Sequence, residues 1–226
     1  MGMSLEVSSA VQDYAKAIYA LEQRSDGAVT TNALAERLGV SAASASGMVK
    51  KLAQMKLVRH VRYRGFVLTP AGRRLALEVL RHHRLLELYL AEAFDMPWDR
   101  VHDEAEVLEH VLSEELEELI AAKLGHPTID PHGDPIPTAD LRIVERATVS
   151  METLGPGDAG RFVRISDSDP EMLRYLGARG IAPGDHFEVV DKQPFGGPIF
   201  VRFGSGEDVH PLGGRLAAAM RVEVGA

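Results

Sequence analysis

The stretch Val101 to His110, which reads VHDEAEVLEH, constrains the fold of this chain more than any other. Residues three and four apart share one face of an α-helix. A helix over this stretch would therefore align two histidines and two glutamates in one stripe, namely His102, Glu106, Glu109 and His110. A solvated helix face also collects glutamates, so a polar surface helix is the alternative to a ligand-binding face.

A second predicted helix carries a matching face. In RHHRLLELYL, His83 and Glu87 lie four residues apart and share one side of the helix. Two helices with His/Glu faces are suited to clamp a divalent metal between them, as helix pairs do in bundle-type metal sites. The chain has no cysteine, so any such site is built from nitrogen, oxygen or methionine sulfur, and disulfides and thiolate zinc sites are excluded.

The charge of the chain is distributed unevenly. The formal net charge is −8, but residues 37–77 hold nine Lys/Arg and no Asp/Glu, whereas residues 78–126 hold thirteen Asp/Glu and four Lys/Arg. A local basic block can bind DNA even in an acidic protein, because counterion release depends on the contacting surface. No apolar run approaches the ~18 residues of a membrane span, and the start MGMSLEVSSA does not read as a signal peptide. We therefore expect a cytoplasmic protein with no membrane partner.

The basic block has the pattern of a helix-turn-helix. A first helix is predicted from about Ala10 to Gln23, a second from about Asn32 to Leu38 with Thr31 as its cap, and a third from Ser41 to about Met55. The side chains in the first half of the third helix are small, which allows close approach to base edges, and lysines follow further along. The predicted DNA contacts are Ser41, Ala43, Ser44, Ser46, Lys50 and Lys51. A helical hairpin whose second helix is buried through these small residues is the alternative.

Two short strands follow the third helix. Val58, Val61, Phe66 and Leu68 alternate with basic residues, and Gly65 stands where the strands would turn. This predicts a winged helix-turn-helix in which Arg62 and Arg64 face the DNA backbone. Downstream helices are predicted from about Ala71 to Phe94, Asp103 to Leu112 and Ser113 to Leu124, and their apolar content favours a homodimer.

The remainder of the chain differs in composition. Residues 125–156 include DPHGDPIP and read as a linker or ordered loop, in which His126 and His132 are expected to be ordinary loop histidines. Beyond them, short strands around a helix at Pro170 to Ala178 predict a small SH3-like β-barrel. Asp167, Asp169 and Glu171 near that helix are expected to be capping residues, and they are also the acidic cluster of this domain that is a candidate to reach a metal. The predicted fold is α+β with three domains, at residues 1–74, 75–145 and 146–226.

The order of these motifs resembles the diphtheria toxin repressor family of metal-dependent transcriptional regulators, and its manganese transport regulator branch most closely. The resemblance rests on the winged helix-turn-helix, HHRLLE, HDEAEVLEH, DPHGDPIP and a small barrel of the FeoA type. It implies a homodimeric repressor that binds a palindromic double-stranded DNA operator when activated by Mn²⁺. An iron-dependent repressor of the same family, activated by Fe²⁺, is the alternative.

The resemblance also implies two metal sites. Its primary ligands correspond to Asp13, Glu106, Glu109 and His110, and its ancillary ligands to His83, Glu87 and His102. Ligands from the C-terminal domain fall near Asp169 and Met172, with Glu171 as a substitute for the latter. Carboxylates stand at Asp13 and Glu106 where iron-responsive members carry Met and Cys, and hard oxygen ligands suit Mn²⁺. Lys16 replaces a glutamate of the short manganese regulators, which argues for separate sites rather than a two-metal centre.

Two rival functions use the same residues. A non-haem metal oxygenase or hydrolase needs an open coordination position and a substrate pocket, and the sequence contains no H-E-x-x-H motif. It also leaves the basic helix-turn-helix unexplained, so we expect no enzymatic activity and no small organic substrate. A metal-independent DNA-binding regulator is the other rival, and it predicts DNA binding that a chelator does not change.

Overall fold

The computed structural model describes residues 7–24 and 27–225, which form two compact units. The first unit contains the described residues up to His83 together with Glu109–Leu112 and Pro137–Arg142. The second contains Arg84–Leu108, Ser113–Ile136 and the chain from Ile143 onward.

The first unit begins with three helices, α1 (Ser9–Arg24), α2 (Thr31–Leu38) and α3 (Ala42–Gln54). Thr30 rather than Thr31 caps α2, because its hydroxyl accepts a hydrogen bond from the N–H of Ala33. Gly39 takes a left-handed conformation with φ of 63° and ends α2, and Ser41 then caps α3. The predicted helix-turn-helix is therefore present, and its three helices pack around a shared apolar core.

The wing is an antiparallel pair, β1 (Val58–Val61) and β2 (Gly65–Leu68). Phe66 of β2 also exchanges backbone hydrogen bonds with Val29, which attaches the wing to the segment between α1 and α2. A Cβ atom at Gly65 would lie 2.1 Å from the carbonyl oxygen of Val29, so only glycine allows this close approach. The tip residue Tyr63 is 91% exposed.

Three further helices follow, α4 (Pro70–Phe94), α5 (Val101–Leu108) and α6 (Glu114–Lys123). The sequence predicted one helix reaching Leu112, but α5 ends at Leu108 and the chain turns at residues 109–111. Ser113 then caps α6 by accepting a hydrogen bond from the N–H of Leu116. Glu109 and His110 therefore leave the helical stripe that His102 and Glu106 share on α5.

The end of the second unit is a six-stranded antiparallel sheet, with the strand order β3-β8-β4-β5-β6-β7. Its strands are β3 (Val149–Ser150), β4 (Ala159–Ile165), β5 (His186–Lys192), β6 (Ile199–Phe203), β7 (Val209–Leu212) and β8 (Met220–Val224). Two helices, α7 (Pro170–Gly177) and α8 (Gly214–Ala219), and a 3₁₀ turn at Met151–Thr153 accompany it. Within residues 149–225 the sheet is open, because its edge strands β3 and β7 do not pair with each other. A six-stranded antiparallel sheet with these short helices is consistent with the predicted SH3-like domain.

The DPHGDPIP segment is an ordered loop held against β4. The N–H of Ile165 donates to the carbonyl oxygen of His132, and a Cβ atom at Gly133 would lie 1.9 Å from the carbonyl oxygen of Val163. The loop therefore fits against the strand only because residue 133 is glycine. None of the helices in the described ranges combines the length and apolarity needed to cross a membrane.

Candidate metal centres

The first candidate centre, which we call the primary group, consists of Asp13, Glu109 and His110. Asp13 lies on α1, and the other two residues lie in the turn that follows α5. One ligand atom from each residue lies within 4.8 Å of the others. Nε2 of His110 is 2.9 Å from Oδ1 of Asp13 and 3.7 Å from Oε1 of Glu109. Three of the four predicted primary ligands are thus brought together in the first unit.

Gln12 orients the imidazole of this group. The Nδ1–H of His110 donates a hydrogen bond of 2.5 Å to Oε1 of Gln12, because an amide oxygen only accepts. Nε2 is then the ring nitrogen that faces the two carboxylates. A histidine that binds a metal through one ring nitrogen usually donates a hydrogen bond from the other. Sequence reasoning missed Gln12, since nothing in its local pattern separates it from any other polar residue of α1.

Glu109 is the most enclosed member of the primary group, and its side chain is 0% exposed. Nζ of Lys16 lies 2.7 and 2.9 Å from its two oxygens, and Nδ1 of His83 lies 2.5 Å from Oε2. Burial raises the pKa of Glu109, but the hydrogen bond from His83 and the charge of Lys16 outweigh it, so the pKa is lowered. The carboxylate is therefore ionised. His83, assigned by the resemblance to the ancillary set, contacts a primary ligand here.

Glu106, the fourth predicted primary ligand, lies on α5 in the second unit. Its Oε1 is 3.8 Å from Nε2 of His102, one helical turn earlier. Glu106 is half-buried, so its carboxylate is reachable from solvent. Its part in the primary site stays a prediction.

The second candidate centre, which we call the ancillary group, contains Glu87, His102 and Asp167 of the second unit. Nδ1 of His102 is 3.0 Å from Oδ2 of Asp167 and 3.4 Å from Oε1 of Glu87. Hydrogen bonds to Asp167 and Glu87 outweigh burial and raise the pKa of His102 to about 10. The two helices and the C-terminal domain therefore converge on one histidine.

A third candidate centre, the loop group, consists of Glu87, Asp130 and His132, all three buried. Nε2–H of His132 donates to the carbonyl oxygen of Trp98 at 2.7 Å, so Nδ1 is left facing Oε2 of Glu87 at 3.8 Å. Glu87 thus has one oxygen toward His102 and the other toward His132. The expectation of an ordinary loop histidine is corrected: His132 is 1% exposed and belongs to a cluster of ionisable side chains.

The charges of the loop group are balanced within the second unit. Burial lowers the pKa of His132, but the nearby carboxylates of Glu87 and Asp130 raise it to about 9. Burial and the charge of Glu87 raise the pKa of Asp130. Asp130 accepts hydrogen bonds from the N–H groups of His132 and Asp134 through Oδ1, and Nε of Arg84 lies 3.5 Å from its Oδ2. The loop is thereby held in one conformation.

The acidic residues predicted from the C-terminal domain lie elsewhere. Asp169 caps α7 by accepting from the N–H of Glu171, and its Oδ2 is 3.2 Å from Nη2 of Arg215. Glu171 is exposed, and Met172 packs against the core of this domain. In the described ranges, neither Asp169 nor Glu171 joins a cluster able to hold a metal, whereas Asp167 does. Asp169 is therefore a capping residue, as expected. The carboxylate of this domain that lies in a candidate metal cluster is Asp167, two residues earlier.

The donor sets of all three groups fit a divalent first-row ion. Each combines at least one imidazole with carboxylates, and such nitrogen and oxygen ligands suit the harder divalent ions of this row. In the primary and loop groups the histidine ring is already oriented, because one ring nitrogen of His110 or His132 donates a hydrogen bond and leaves the other facing the carboxylates. The side chains would hold an ion through the carboxylates and through Nε2 of His110 or Nδ1 of His132.

The predicted DNA-contacting residues form an exposed surface on α3. Ala45, Val49 and Leu52 of this helix are buried, and the opposite face is exposed. That exposed face holds Ser41, Ala43, Ser44, Ser46, Lys50 and Lys51. At the wing tip, Arg62 and Arg64 are also exposed, and Nη2 of Arg62 donates to the hydroxyl of Tyr63 at 2.8 Å. The surface combines short side chains, which suit close approach to a DNA groove, with basic side chains, which suit contact with phosphates.

Three family models match consecutive parts of the chain. Residues 6–66 match the N-terminal DNA binding domain of iron dependent repressors. Residues 69–138 match their metal binding and dimerisation domain. Residues 149–224 match the FeoA domain.

Individual proteins are similar over most of the chain. The iron-dependent repressor IdeR of Mycobacterium leprae is 39% identical over 224 residues, which cover 93% of this chain and 95% of that protein. IdeR of Mycobacterium tuberculosis H37Rv is 38% identical over 133 residues, and this match spans 57% of its length. A solved manganese-dependent transcriptional repressor in complex with manganese is 44% identical with a TM-score of 0.87, covering 95% of this chain and 99% of that one.

Proposed function

Since this chain belongs to the family of iron-dependent and diphtheria toxin repressors, we propose that it is a transcriptional repressor activated by Mn²⁺. The observation that carries this proposal is the primary group, in which two carboxylates and one oriented imidazole meet. The similarity to a manganese-dependent repressor supports the choice of metal.

The ligand chemistry favours Mn²⁺ over softer ions. With Glu106 as a predicted fourth member, the primary site has three carboxylates and one imidazole and no sulfur ligand. Hard oxygen donors suit Mn²⁺, whereas thiolate and thioether ligands favour softer metals. Because Mn²⁺ binds more weakly than the later first-row ions, selectivity depends on geometry and coordination number rather than on affinity alone.

The bound ion would supply positive charge that neutralises the carboxylates of the primary group. A change in the position of Asp13 would reach the DNA-binding helices through α1. On that helix, Val11 and Ile18 are fully buried and pack in one core with Leu34 of α2 and Leu52 of α3. Because packed cores do not deform continuously, a shift of α1 moves the recognition helix with it. Metal then raises DNA affinity, and DNA raises metal affinity by the same factor.

The ancillary and loop groups would hold further ions that stabilise the second unit. Glu87 and His102 come from α4 and α5, Asp167 from the segment between β4 and α7, and Asp130 and His132 from the loop. An ion bound by these side chains joins the helices to the C-terminal domain. This supports a bracing role for that domain rather than that of a passive appendage.

The repressor would act as a homodimer on a palindromic operator, because two symmetric recognition helices read two symmetric half-sites. Exposed apolar side chains on α5 and α6, namely Val107, Leu116 and Leu119, offer a dimer surface. We assign DNA binding to residues 1–74, dimerisation to 75–145 and the FeoA-type domain to 146–226. Function on chromosomal DNA places the protein in the cytoplasm and requires no enzymatic step.

The test is DNA binding to the region upstream of the organism's manganese importer genes, titrated anaerobically with Mn²⁺, Fe²⁺ and Zn²⁺. We expect Mn²⁺ to switch on binding, and Asp13→Ala and Glu106→Ala to abolish the switch. Glu104→Ala is the matched control, because this exposed glutamate lies on the same helix as Glu106 and should leave the switch intact.

The same titration distinguishes the remaining alternatives. Activation by Fe²⁺ at lower free concentrations than Mn²⁺ would identify an iron repressor, as the names of the mycobacterial relatives suggest. DNA binding that persists in excess chelator would identify a metal-independent regulator and contradict the proposal.

A further inference from the structure

We propose that Lys16 is an internal cation that competes with the metal for Glu109 and so sets the metal concentration at which the primary group fills. This inference rests on the proposed function, because it concerns the regulation of the same site. It assigns a role to a residue that is not itself a metal ligand. In the sequence, Lys16 stands out only because it replaces a glutamate of the short manganese regulators.

The geometry places the ammonium group on the atoms a metal would need. Nζ of Lys16 is 2.7 Å from Oε1 and 2.9 Å from Oε2 of Glu109, so both carboxylate oxygens are engaged. Oε1 is also the oxygen that lies 3.7 Å from Nε2 of His110. Lys16 therefore approaches Glu109 most closely on the side where the other members of the primary group lie.

Burial makes this ion pair consequential. The side chain of Glu109 is 0% exposed and that of Lys16 is 17% exposed, so water screens the pair weakly. A buried carboxylate without a counter-ion is strongly unfavourable. Lys16 therefore stabilises the metal-free protein, because it places an ammonium group against both oxygens of the buried Glu109 carboxylate.

Metal binding removes the basis for this contact. A divalent ion bound to the same oxygens repels an ammonium group at contact distance, and the lysine must move away. An interaction that stabilises only the metal-free state lowers the apparent metal affinity. Because Asp13 and Lys16 are three residues apart on α1, they share one face of that helix. The displaced cation and a metal ligand thus belong to the same helix that packs against the DNA-binding core.

The test compares direct Mn²⁺ binding to the full-length protein and to Lys16→Met, measured by isothermal titration and by electron paramagnetic resonance of free Mn²⁺. We expect the first Mn²⁺ to bind Lys16→Met about tenfold more tightly or better. The metal-free variant should also melt at a lower temperature than wild type, because Glu109 has lost its counter-ion. Lys123→Met, an exposed lysine on α6, is the control for net charge and should bind Mn²⁺ as wild type does.

Equal or weaker Mn²⁺ binding by Lys16→Met would overturn the inference. If wild type itself bound no Mn²⁺, the proposed function would fail instead, so the two failures are distinguishable. A crystal structure of the Mn²⁺-loaded wild type provides a test that does not depend on a variant folding. There, Nζ of Lys16 should lie beyond about 4 Å from both oxygens of Glu109, the limit of an ion pair, and a retained contact would refute the competition.

Discussion

Gln12 and His110 form a hydrogen bond of 2.5 Å between residues almost a hundred positions apart, with Nδ1 of the histidine as donor and Oε1 of the glutamine as acceptor. The bond fixes the orientation of the imidazole, whose Nε2 lies 2.9 Å from Oδ1 of Asp13. Gln12 is adjacent to Asp13 in the chain, so one turn of α1 supplies both a predicted ligand and the group that orients another. Partners of this kind are often nearly as important to a metal site as its ligands.

Replacing Gln12 tests that role. Gln12→Leu removes the acceptor and leaves the ring of His110 free to rotate, so we expect Mn²⁺ affinity at the primary group to fall by about 10- to 100-fold. Direct Mn²⁺ titration measures this change. Gln23→Leu on the exposed end of the same helix is the matched control and should bind metal normally. An unchanged affinity in Gln12→Leu would show that Asp13 and Glu109 hold the ion without an oriented imidazole.

Asp167 and Asp169 offer a paired test of the ancillary group. Asp167→Asn removes a carboxylate 3.0 Å from His102, so we expect the binding of the second Mn²⁺ to weaken by about tenfold or more. Asp169→Asn should leave metal stoichiometry and affinity unchanged, because asparagine is also a good N-cap and the partner Arg215 is largely exposed. Stoichiometry measured by electron paramagnetic resonance decides between them. The reverse result would restore the assignment made from the sequence.

The raised pKa of His102 predicts how the stability of the metal-free protein depends on pH. The group titrates near 6.5 when unfolded and at about 10 in the folded chain, so the folded state binds the proton more tightly. The stabilisation is complete below pH 6.5 and is lost as the pH rises through 10. Chelator-treated wild type should therefore lose unfolding free energy between pH 7 and 9.5, as measured by urea denaturation.

His102→Gln provides the comparison for that pH series. Its unfolding free energy should fall less steeply over the same range, because the titrating imidazole is gone. His132, whose pKa is raised to about 9, leaves a smaller decline of the same sign in the variant. Parallel curves for wild type and His102→Gln would rule out a protonated His102 between Asp167 and Glu87.

The close packing of Gly133 against β4 leads us to expect that loop packing and metal binding are linked. Its φ is 86° and an added Cβ atom would overlap the carbonyl oxygen of Val163, so Gly133→Ala forces the loop away from β4. Gly125→Ala shares a positive φ, 73°, but meets nothing within 4 Å. We expect Gly125→Ala to cost about 1 kcal/mol in unfolding free energy and Gly133→Ala at least about 1 kcal/mol more.

Metal binding provides the second measurement for this glycine pair. Gly133→Ala should weaken Mn²⁺ binding at the ancillary and loop groups while the primary group keeps its affinity, because Asp130 and His132 move with the loop. Gly125→Ala should leave both unchanged. Equal effects of the two substitutions would mean that the strained backbone, and not the close approach to β4, controls stability.

Elements whose causes are local could be predicted from the amino-acid sequence alone. Ser41 and Gly39 mark the helix-turn-helix because capping and positive φ act over a few residues. The same holds for the His/Glu pair of α4 and for α7, whose cap Asp169 stands just before a proline. The order of the family's motifs could be recognised for the same reason, and it predicted the α+β architecture and the function of a metal-dependent repressor.

Which side chains meet depends instead on how elements distant in the chain pack together. The end of α5 at Leu108 sent Glu109 toward Lys16 and His83, a contact between residues 93 positions apart that no helical periodicity encodes. Packing of the loop against β4 likewise brought His132 to Glu87 and made Asp167, rather than Asp169, the partner of His102. Charges and hydrogen bonds act over a few ångströms of space regardless of separation along the chain, so the composition of each site was settled by the packing of the elements.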